Sequence, residues 1–343
     1  MSSFKFLFYI EQNYSFEILR PLQSVMQGKG YSVAWIAVGN EVNTSLFHPE
    51  EQVLDDINSA IEYQPDACFV PGNIIPNFLS GLKVQVFHGL EWKKKGHFVI
   101  RGCFDLYCTH GPATTERFNQ LAAEHGYFDV VETGWPKLDP LFTTKPFELD
   151  VKNKPVVLFA PTFSPKLTCA GALFEQIKDL VGKQDWLWLA KFHPKMDSEL
   201  VALYQSIESD NFKVIETSDI ASLLQVADVM LSDTSSVIGE FALLNKPIVS
   251  FNNSAPGEYL INITEVATLE DSILKALSPS DELKKHIESY ALELHPLIDG
   301  LASERILTAV VDKLENGIQA KRSKPLNLFR NLKLRKKLHY WKY

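Results

Sequence analysis

The chain has 343 residues, 45% of them hydrophobic and 22% charged, which is typical of a globular enzyme with two domains of about 150 residues each. No apolar run approaches the roughly 18 residues that span a bilayer. Nine of the 34 basic residues and none of the acidic ones lie between Ile318 and Tyr343, so a basic tail follows an acidic body. An acidic body argues against nucleic-acid binding.

Strand-length apolar runs alternate with helix-period segments along most of the chain, a pattern that predicts βαβ units and parallel sheets. The first run is predicted to be a strand and not a signal peptide, because an acidic residue follows it at once. In the first half the predicted strands are Phe4–Ile10, Ser32–Val38, Ala67–Val70, Val84–Phe87, Leu106–Thr109 and Phe128–Glu132. In the second half they are Val156–Phe159, Trp186–Ala190, Lys213–Ile215, Val229–Leu231 and Ile248–Phe251.

These elements predict an α/β fold in which two Rossmann-like parallel-sheet domains face each other across a cleft, followed by a helical, basic C-terminal tail. The polar segment 143–155 has two prolines and no periodicity, and it is the predicted linker. The predicted domains are residues 1–142 and 156–317, and the predicted tail is 318–343. Ligands of such sheets bind beyond the carboxyl ends of the strands, so the site residues are expected there.

A turn rich in hydroxyl groups follows the apolar run that ends at Leu231. If a buried strand turns into a helix there, free backbone N–H groups and a partial positive charge would attract phosphate. Helix capping explains the same residue types, so both interpretations stay open. The predicted phosphate-binding residues are Ser232, Asp233, Thr234, Ser235 and Ser236. Glu240, a helical turn later, is predicted to bind a ribose hydroxyl. The alternative is that Glu240 is an acidic residue in the first turn of the helix, stabilised by the helix dipole.

Two histidines follow strand-like runs and are candidates for chemistry. His88 precedes Gly89, and a neutral imidazole with a pKa of roughly 6.5 takes a proton readily at cytoplasmic pH. His193 lies in a Lys191-x-His193-Pro motif, which places two potential cations near one anion. A run of lysines that includes Lys93 follows His88. Lys93 is predicted to contact phosphate, and a solvated surface is the alternative interpretation of the run. A purely structural role is the alternative for each histidine.

Several absences narrow the chemistry. No D-x-D pair occurs, and no spacing typical of zinc ligands, so we expect neither a metal nor a cofactor; hydroxyls, lysine and histidine would neutralise the donor phosphates. The four cysteines have no C-x-x-C spacing, which indicates reduced thiols in the cytoplasm.

The C-terminal tail interleaves leucines, Phe329 and Trp341 with arginines and lysines. This pattern suits a helix on an anionic membrane surface, which would place the protein on the cytoplasmic face of the cell membrane. A helix packed against the acidic body and a disordered basic tail are the alternatives.

Taken together, these motifs resemble the CDP-glycerol glycerophosphotransferase family, the teichoic-acid and capsule enzymes with the GT-B fold. The resemblance covers roughly Val84 to Lys313. Members carry an apolar strand followed by His-Gly, a Lys-x-His-Pro element, a Ser-Asp-x-Ser-Ser turn and a late Asp-Gly. The matching residues here are His88-Gly89, Lys191 to Pro194, Ser232 to Ser236 and Asp299-Gly300.

By this resemblance, residues 1–142 form the acceptor side and 156–317 bind the nucleotide donor. His88 would be the general base on the acceptor hydroxyl, while His193 and the Ser232–Ser236 turn would bind the donor phosphates. The reaction would move glycerol phosphate from CDP-glycerol to a glycan or polyol and release CMP. Family members often continue His-Gly with Thr-Pro and a lysine, whereas this chain has Leu90-Glu91-Trp92. That departure bears on acceptor recognition. The absence of the polymerases' large N-terminal region favours a single-transfer or capsule-type enzyme.

Two competing hypotheses remain. A GT-B glycosyltransferase or UDP-sugar epimerase would use the same turn to hold a UDP- or CMP-linked sugar. A non-enzymatic nucleotide-binding module on membranes would keep its function after loss of both histidines and lose it with the tail.

Overall fold

The computed structural model describes residues 4–90, 96–150, 153–217 and 219–341. The chain forms two compact units, one of Met1–Phe142 with Leu294–Tyr343 and one of Thr143–Glu293. Each unit has its own parallel sheet and its own hydrophobic core.

The first unit is built on a sheet of seven parallel strands in its described residues. In chain order they are β1 (Lys5–Ile10), β2 (Ser32–Ala37), β3 (Gln52–Val53), β4 (Ala67–Val70), β5 (Leu82–Gln85), β6 (Leu106–Thr109) and β7 (Asp129–Glu132). Their order in the sheet is β3-β2-β1-β4-β5-β6-β7. Apart from the exposed Lys5 at the start of β1, the central strands β1 and β4 are apolar and buried, as is usual for parallel strands with helices on both faces of the sheet.

The second unit has six described parallel strands. They are β8 (Val156–Phe159), β9 (Leu187–Ala190), β10 (Phe212–Val214), β11 (Val229–Ser232), β12 (Ile248–Phe251) and β13 (Ile261–Ile263). Their order in the sheet is β10-β9-β8-β11-β12-β13. The predicted α/β class with two parallel-sheet domains is confirmed. The short strands β3 and β13 were not predicted.

The helices pack on the sheets and on each other. Those that follow strands of the first half are α1 (Ser15–Gly28), α2 (Ile57–Tyr63), α3 (Pro112–His125) and α4 (Asp139–Thr143). Those of the second unit are α5 (Ala170–Lys183), α6 (Ser198–Gln205), α7 (Ile220–Val226), α8 (Val237–Ala242), α9 (Leu269–Leu277) and α10 (Asp281–Leu294). The last two are α11 (Ala302–Asn316) and α12 (Leu328–Lys337).

Residues 294–317 were predicted to belong to the second domain, whereas in the structure they pack with the first unit. The buried carboxylate of Asp139 accepts hydrogen bonds from the backbone N–H groups of Ala302 and Ser303, both at 2.8 Å, and so caps α11. The buried His295 accepts a hydrogen bond at Nε2 from the backbone N–H of Trp135 at 2.9 Å. Both contacts join residues about 160 positions apart, which helical periodicity does not reveal.

The basic tail also packs against the first unit, which agrees with the alternative prediction of a helix packed against the acidic body. Lys324 pairs with Asp105 at 2.6 Å, and Lys337 of α12 pairs with Glu11 at 2.7 Å. Leu334 is buried, while Phe329 on the same helix is 85% exposed. No helix in the described part of the chain is long and apolar enough to cross a bilayer.

Candidate functional site

The second sheet changes direction between β8 and β11. The chain runs from β8 outward through β9 and β10, and then returns to place β11 on the other side of β8. Ligands of parallel sheets bind in the crevice beyond the carboxyl ends of the strands at such a switch point. The Ser232–Ser236 turn begins at the last residue of β11 at this position, and the loop that begins at Ala160 follows β8.

Three residues of the turn are engaged within the second unit. The Ser232 hydroxyl donates to the Ala160 carbonyl at 2.7 Å. Asp233 is fully buried, and its carboxylate accepts hydrogen bonds from the backbone N–H groups of Thr162 at 3.0 Å and Cys169 at 3.0 Å. Thr234 accepts a hydrogen bond at Oγ1 from the backbone N–H of Ser254, also at 3.0 Å. These contacts fix the loops after β8 and β12 against the turn.

The other two hydroxyls of the turn take no part in this network. Ser235 is half-buried and Ser236 is exposed. Within the described residues, neither hydroxyl has a hydrogen-bond partner in the protein. Helix α8 follows the turn and has only six residues. Glu240 lies in this helix and is buried. Ser235 and Ser236 are therefore the two predicted turn residues whose side chains are open to a ligand.

His193 lies beyond the carboxyl end of β9, next to the same switch point. Its Nδ1 accepts a hydrogen bond from the backbone N–H of Lys195 at 3.0 Å, so the neutral ring carries its proton on Nε2. The ring stacks on Phe163 of the loop after β8, with centroids 4.3 Å apart. The Lys195 ammonium lies 5.9 Å from the centroid of Phe163. This contact joins the loops after β8 and β9.

Lys191 is the first residue after β9 and is half-buried. Burial lowers the pKa of its ammonium, and nearby Glu216 opposes that shift. Lys191 therefore adds a positive charge to the same edge of the sheet, where it is less hydrated than a surface lysine.

In the first unit, a cavity of about 800 Å³ lies at the carboxyl ends of β1, β2, β4 and β5. The first sheet changes direction here, because β1 lies between β2 and β4. We call this cavity the first-sheet pocket. Its wall includes Glu11, Tyr14, Glu41, His88 and Lys337.

His88 is exposed on this wall, and its ring is oriented by a backbone contact. Nδ1 lies 3.0 Å from the Pro71 carbonyl oxygen. A carbonyl only accepts, so Nδ1 carries the proton and Nε2 keeps a lone pair in the neutral ring. Tyr14 stacks against the ring, with centroids 5.5 Å apart. Sequence reasoning found His88 but not Tyr14 or Pro71, which come from other loops.

The residues beside His88 have different outcomes. Phe87 has a φ of +59°, a left-handed conformation that is rare for a bulky residue and turns the chain sharply before His88. A Cβ on Gly89 would meet no atom within 4 Å, so packing does not require glycine there. The predicted phosphate contact Lys93 lies outside the described residues.

The Asp299-Gly300 element forms a turn in the first unit. Asp299 accepts a hydrogen bond from the backbone N–H of Leu301 at 3.1 Å and pairs with Arg305 of α11. The Arg305 guanidinium lowers the pKa of Asp299. Across the described residues, no group of three or more His, Cys, Asp or Glu side chains is arranged to hold a metal ion.

Comparison with known proteins places this chain in a family. Residues 111–312 match the sequence model of a family described as CDP-glycerol:poly(glycerophosphate) glycerophosphotransferase. The matched range contains His193, the Ser232–Ser236 turn and Asp299-Gly300, whereas His88 precedes it.

Two curated relatives come from Bacillus spizizenii. A teichoic acid poly(ribitol-phosphate) polymerase is 29% identical over 206 residues, which are 54% of this chain and 32% of the relative. A teichoic acid glycerol-phosphate primase is 28% identical over 214 residues, 54% of each chain. The chain thus spans about half or less of the length of these relatives.

Solved structures show the fold. A putative UDP-N-acetylglucosamine 2-epimerase from Listeria monocytogenes matches 95% of this chain and all of its own, with a TM-score of 0.65 and 17% identity. The wall teichoic acid polymerase TagF matches 91% of this chain and 89% of its own, with a TM-score of 0.60 and 16% identity. These neighbours support the GT-B-like class. Because the family's sequence model covers more than half of the residues, this chain belongs to the CDP-glycerol:poly(glycerophosphate) glycerophosphotransferase family.

Proposed function

We propose that this protein transfers a polyol phosphate, in the first instance glycerol phosphate, from a CDP-activated donor to a hydroxyl group of an acceptor glycan or polyol. The reaction would serve the synthesis of a teichoic acid or of a related capsule polymer. The family match over residues 111–312 is the observation that carries the proposal. Relatives named as teichoic acid polymerases and a primase agree with it.

The donor phosphates are assigned to the switch point of the second sheet. His193, Lys191 and the open hydroxyls of Ser235 and Ser236 supply hydrogen bonds and positive charge there. Phosphoryl transfer depends mostly on positioning and on stabilising charge, which these groups provide. Asp233 is assigned a positioning role, because its carboxylate is bound to backbone N–H groups.

The general base is assigned to His88. The acceptor oxygen forms a bond to the phosphorus that carries glycerol, and His88 Nε2 takes the hydroxyl proton. The bond from that phosphorus to the oxygen between the two phosphates breaks, and CMP leaves with that oxygen. The Pro71 carbonyl holds Nδ1–H and keeps the Nε2 lone pair available for this step.

A donor screen tests the proposal. The protein is incubated with CDP-glycerol, CDP-ribitol, UDP-N-acetylglucosamine and a CMP-linked sugar, and nucleotide release is measured with and without a polyol acceptor. We expect CMP release from CDP-glycerol that depends on the acceptor, with a product heavier by one glycerol phosphate. Turnover of a UDP- or CMP-sugar alone would instead support the alternative function, a glycosyltransferase or epimerase, which the fold likeness to an epimerase favours.

We also propose that the protein binds the cytoplasmic face of the cell membrane through α12. The helix turns Leu334 inward and leaves Leu328, Phe329 and Leu332 exposed. Exposed Lys333 and Lys336 lie on the same helix. Apolar side chains flanked by lysines bind anionic lipid surfaces, where each basic residue contributes about 1 kcal/mol.

Replacing both Phe329 and Leu332 by glutamate is expected to lower binding to anionic vesicles by about tenfold or more, because two apolar contacts are lost and two negative charges are added. Sedimentation with phosphatidylglycerol-containing vesicles measures the bound fraction. Replacing both Leu274 and Leu292 by glutamate is the matched control, since these leucines are 44% and 54% exposed on α9 and α10 and the substitutions add the same two charges. Equal binding of all three proteins, or wild-type binding to neutral vesicles of the same strength, would contradict membrane attachment through α12.

A further inference from the structure

The first-sheet pocket has a charge pattern that the proposed reaction does not by itself require. Among its described lining residues are three carboxylates, Glu11, Glu41 and Asp56, and one lysine, Lys337. Lys337 pairs with Glu11, which cancels one negative charge. Glu41 accepts a hydrogen bond from the Gln12 amide, a neutral partner that leaves its charge in place. The described wall is therefore net negative.

We propose that this pocket binds an uncharged, hydroxyl-rich end of the acceptor and disfavours an acceptor end that carries a phosphodiester. The inference rests on the proposed function and deepens it by naming the acceptor class. Carboxylates and amides accept hydrogen bonds from hydroxyls, and a phosphodiester has no hydrogen-bond donor to offer them. A phosphodiester beside unpaired carboxylates would also be repelled.

The position and the other walls of the pocket fit such a group. The pocket lies where the strand order of the first sheet reverses, the usual ligand position in parallel sheets. His88 lies on its wall with an orientation suited to taking a hydroxyl proton. The Tyr14 ring, stacked on His88, adds an apolar surface beside the polar groups. Its volume of about 800 Å³ is within the range of small-molecule sites.

The C-terminal helix completes this pocket. Lys337 and Leu338 contribute to its wall, and Arg335 anchors the end of the helix, with its guanidinium 4.9 Å from the Phe78 ring centroid. The same helix carries the exposed apolar side chains assigned to the membrane. The acceptor end would therefore bind close to the lipid surface, where an acceptor attached to a lipid is presented.

Two acceptors with the same glycerol end test the proposal. One is 1-O-octylglycerol, which is uncharged, and the other is octyl phosphoglycerol, in which a phosphodiester precedes the glycerol. Both are used below their critical micelle concentrations. With the donor identified by the screen, we expect wild-type kcat/KM to be higher for octylglycerol. Glu41→Lys is expected to shift the ratio of the two values toward octyl phosphoglycerol by about tenfold, because it reverses one charge on the wall. The donor KM should stay within about twofold.

Glu116→Lys is the matched control. Glu116 is exposed on α3, outside the pocket, and its replacement changes the net charge by the same amount. A wild-type preference for octyl phosphoglycerol, or equal shifts in the two variants, would overturn the inference. Titration calorimetry without donor measures binding of the two acceptors directly. If no donor is turned over, the proposed function fails, and the same difference between Glu41→Lys and Glu116→Lys in acceptor binding still decides the charge argument.

Discussion

Replacing His88 by alanine is expected to lower kcat for CMP release by about 10²–10⁴-fold, the usual effect of losing a positioned general base. The Pro71 carbonyl fixes Nδ1–H, so the neutral ring has one nitrogen, Nε2, free to take the acceptor proton. Alanine removes that nitrogen and leaves the donor groups of the second unit in place. The KM for the donor should therefore change little, while the loss appears in kcat.

His48→Ala provides the control for this experiment. His48 is exposed in the same unit, lies 3.5 Å from Glu50 and does not line the first-sheet pocket. Its replacement should leave kcat unchanged. Circular dichroism of both variants establishes that each is folded. If folded His88→Ala releases CMP at the wild-type rate, the acceptor proton goes to another group. If His193→Ala also keeps full activity, the assignment of His193 to the donor phosphates is wrong as well.

The sheets could be predicted from the sequence because parallel strands are buried on both faces. Their side chains are apolar without alternation, as in Val156–Phe159, and such runs stand out between polar loops. The edge strand β3 has only two residues, both exposed, and so lacks this signal. Strand β13 is also short and only partly buried.

The extent of the first unit could not be predicted in the same way. Periodicity shows that α11 has an apolar face, with Ile306 and Val310 buried, but not which sheet covers it. That choice is made by contacts such as Asp139 with Ala302 and Trp135 with His295, between residues far apart in the sequence. No pattern in the sequence indicates that the carboxylate of Asp139 caps a helix that begins at Ala302.

The candidate site shows the same limit at the level of single side chains. The sequence identifies the strand ends, and therefore His88, His193 and the hydroxyl-rich turn. The sequence does not show which residues of the turn have a structural role and which have side chains that are open to a ligand. That separation depends on which backbone N–H groups approach Asp233, and they belong to residues 64 and 71 positions away.

Asp233→Ala is accordingly expected to lower the free energy of unfolding by about 3 kcal/mol, because the backbone N–H groups of Thr162 and Cys169 would lose their partner in a buried site. The loops after β8 and β11 would both loosen, so the KM for the donor should rise as a second effect. Asp233→Asn keeps one acceptor oxygen and should lie between the alanine variant and the wild type. Urea denaturation followed by tryptophan fluorescence measures the free energy, and nucleotide release measures the KM.

Ser236→Ala separates the two effects. Ser236 is exposed in the same turn, and its hydroxyl is proposed to contact the donor, so its loss should raise the KM for the donor without changing the free energy of unfolding. If Asp233→Ala instead unfolds at the wild-type urea concentration and only raises the donor KM, its carboxylate contacts the donor and the positioning role is wrong. Because each substitution is expected to change a different quantity first, the two variants together divide the turn into its structural and ligand-binding halves.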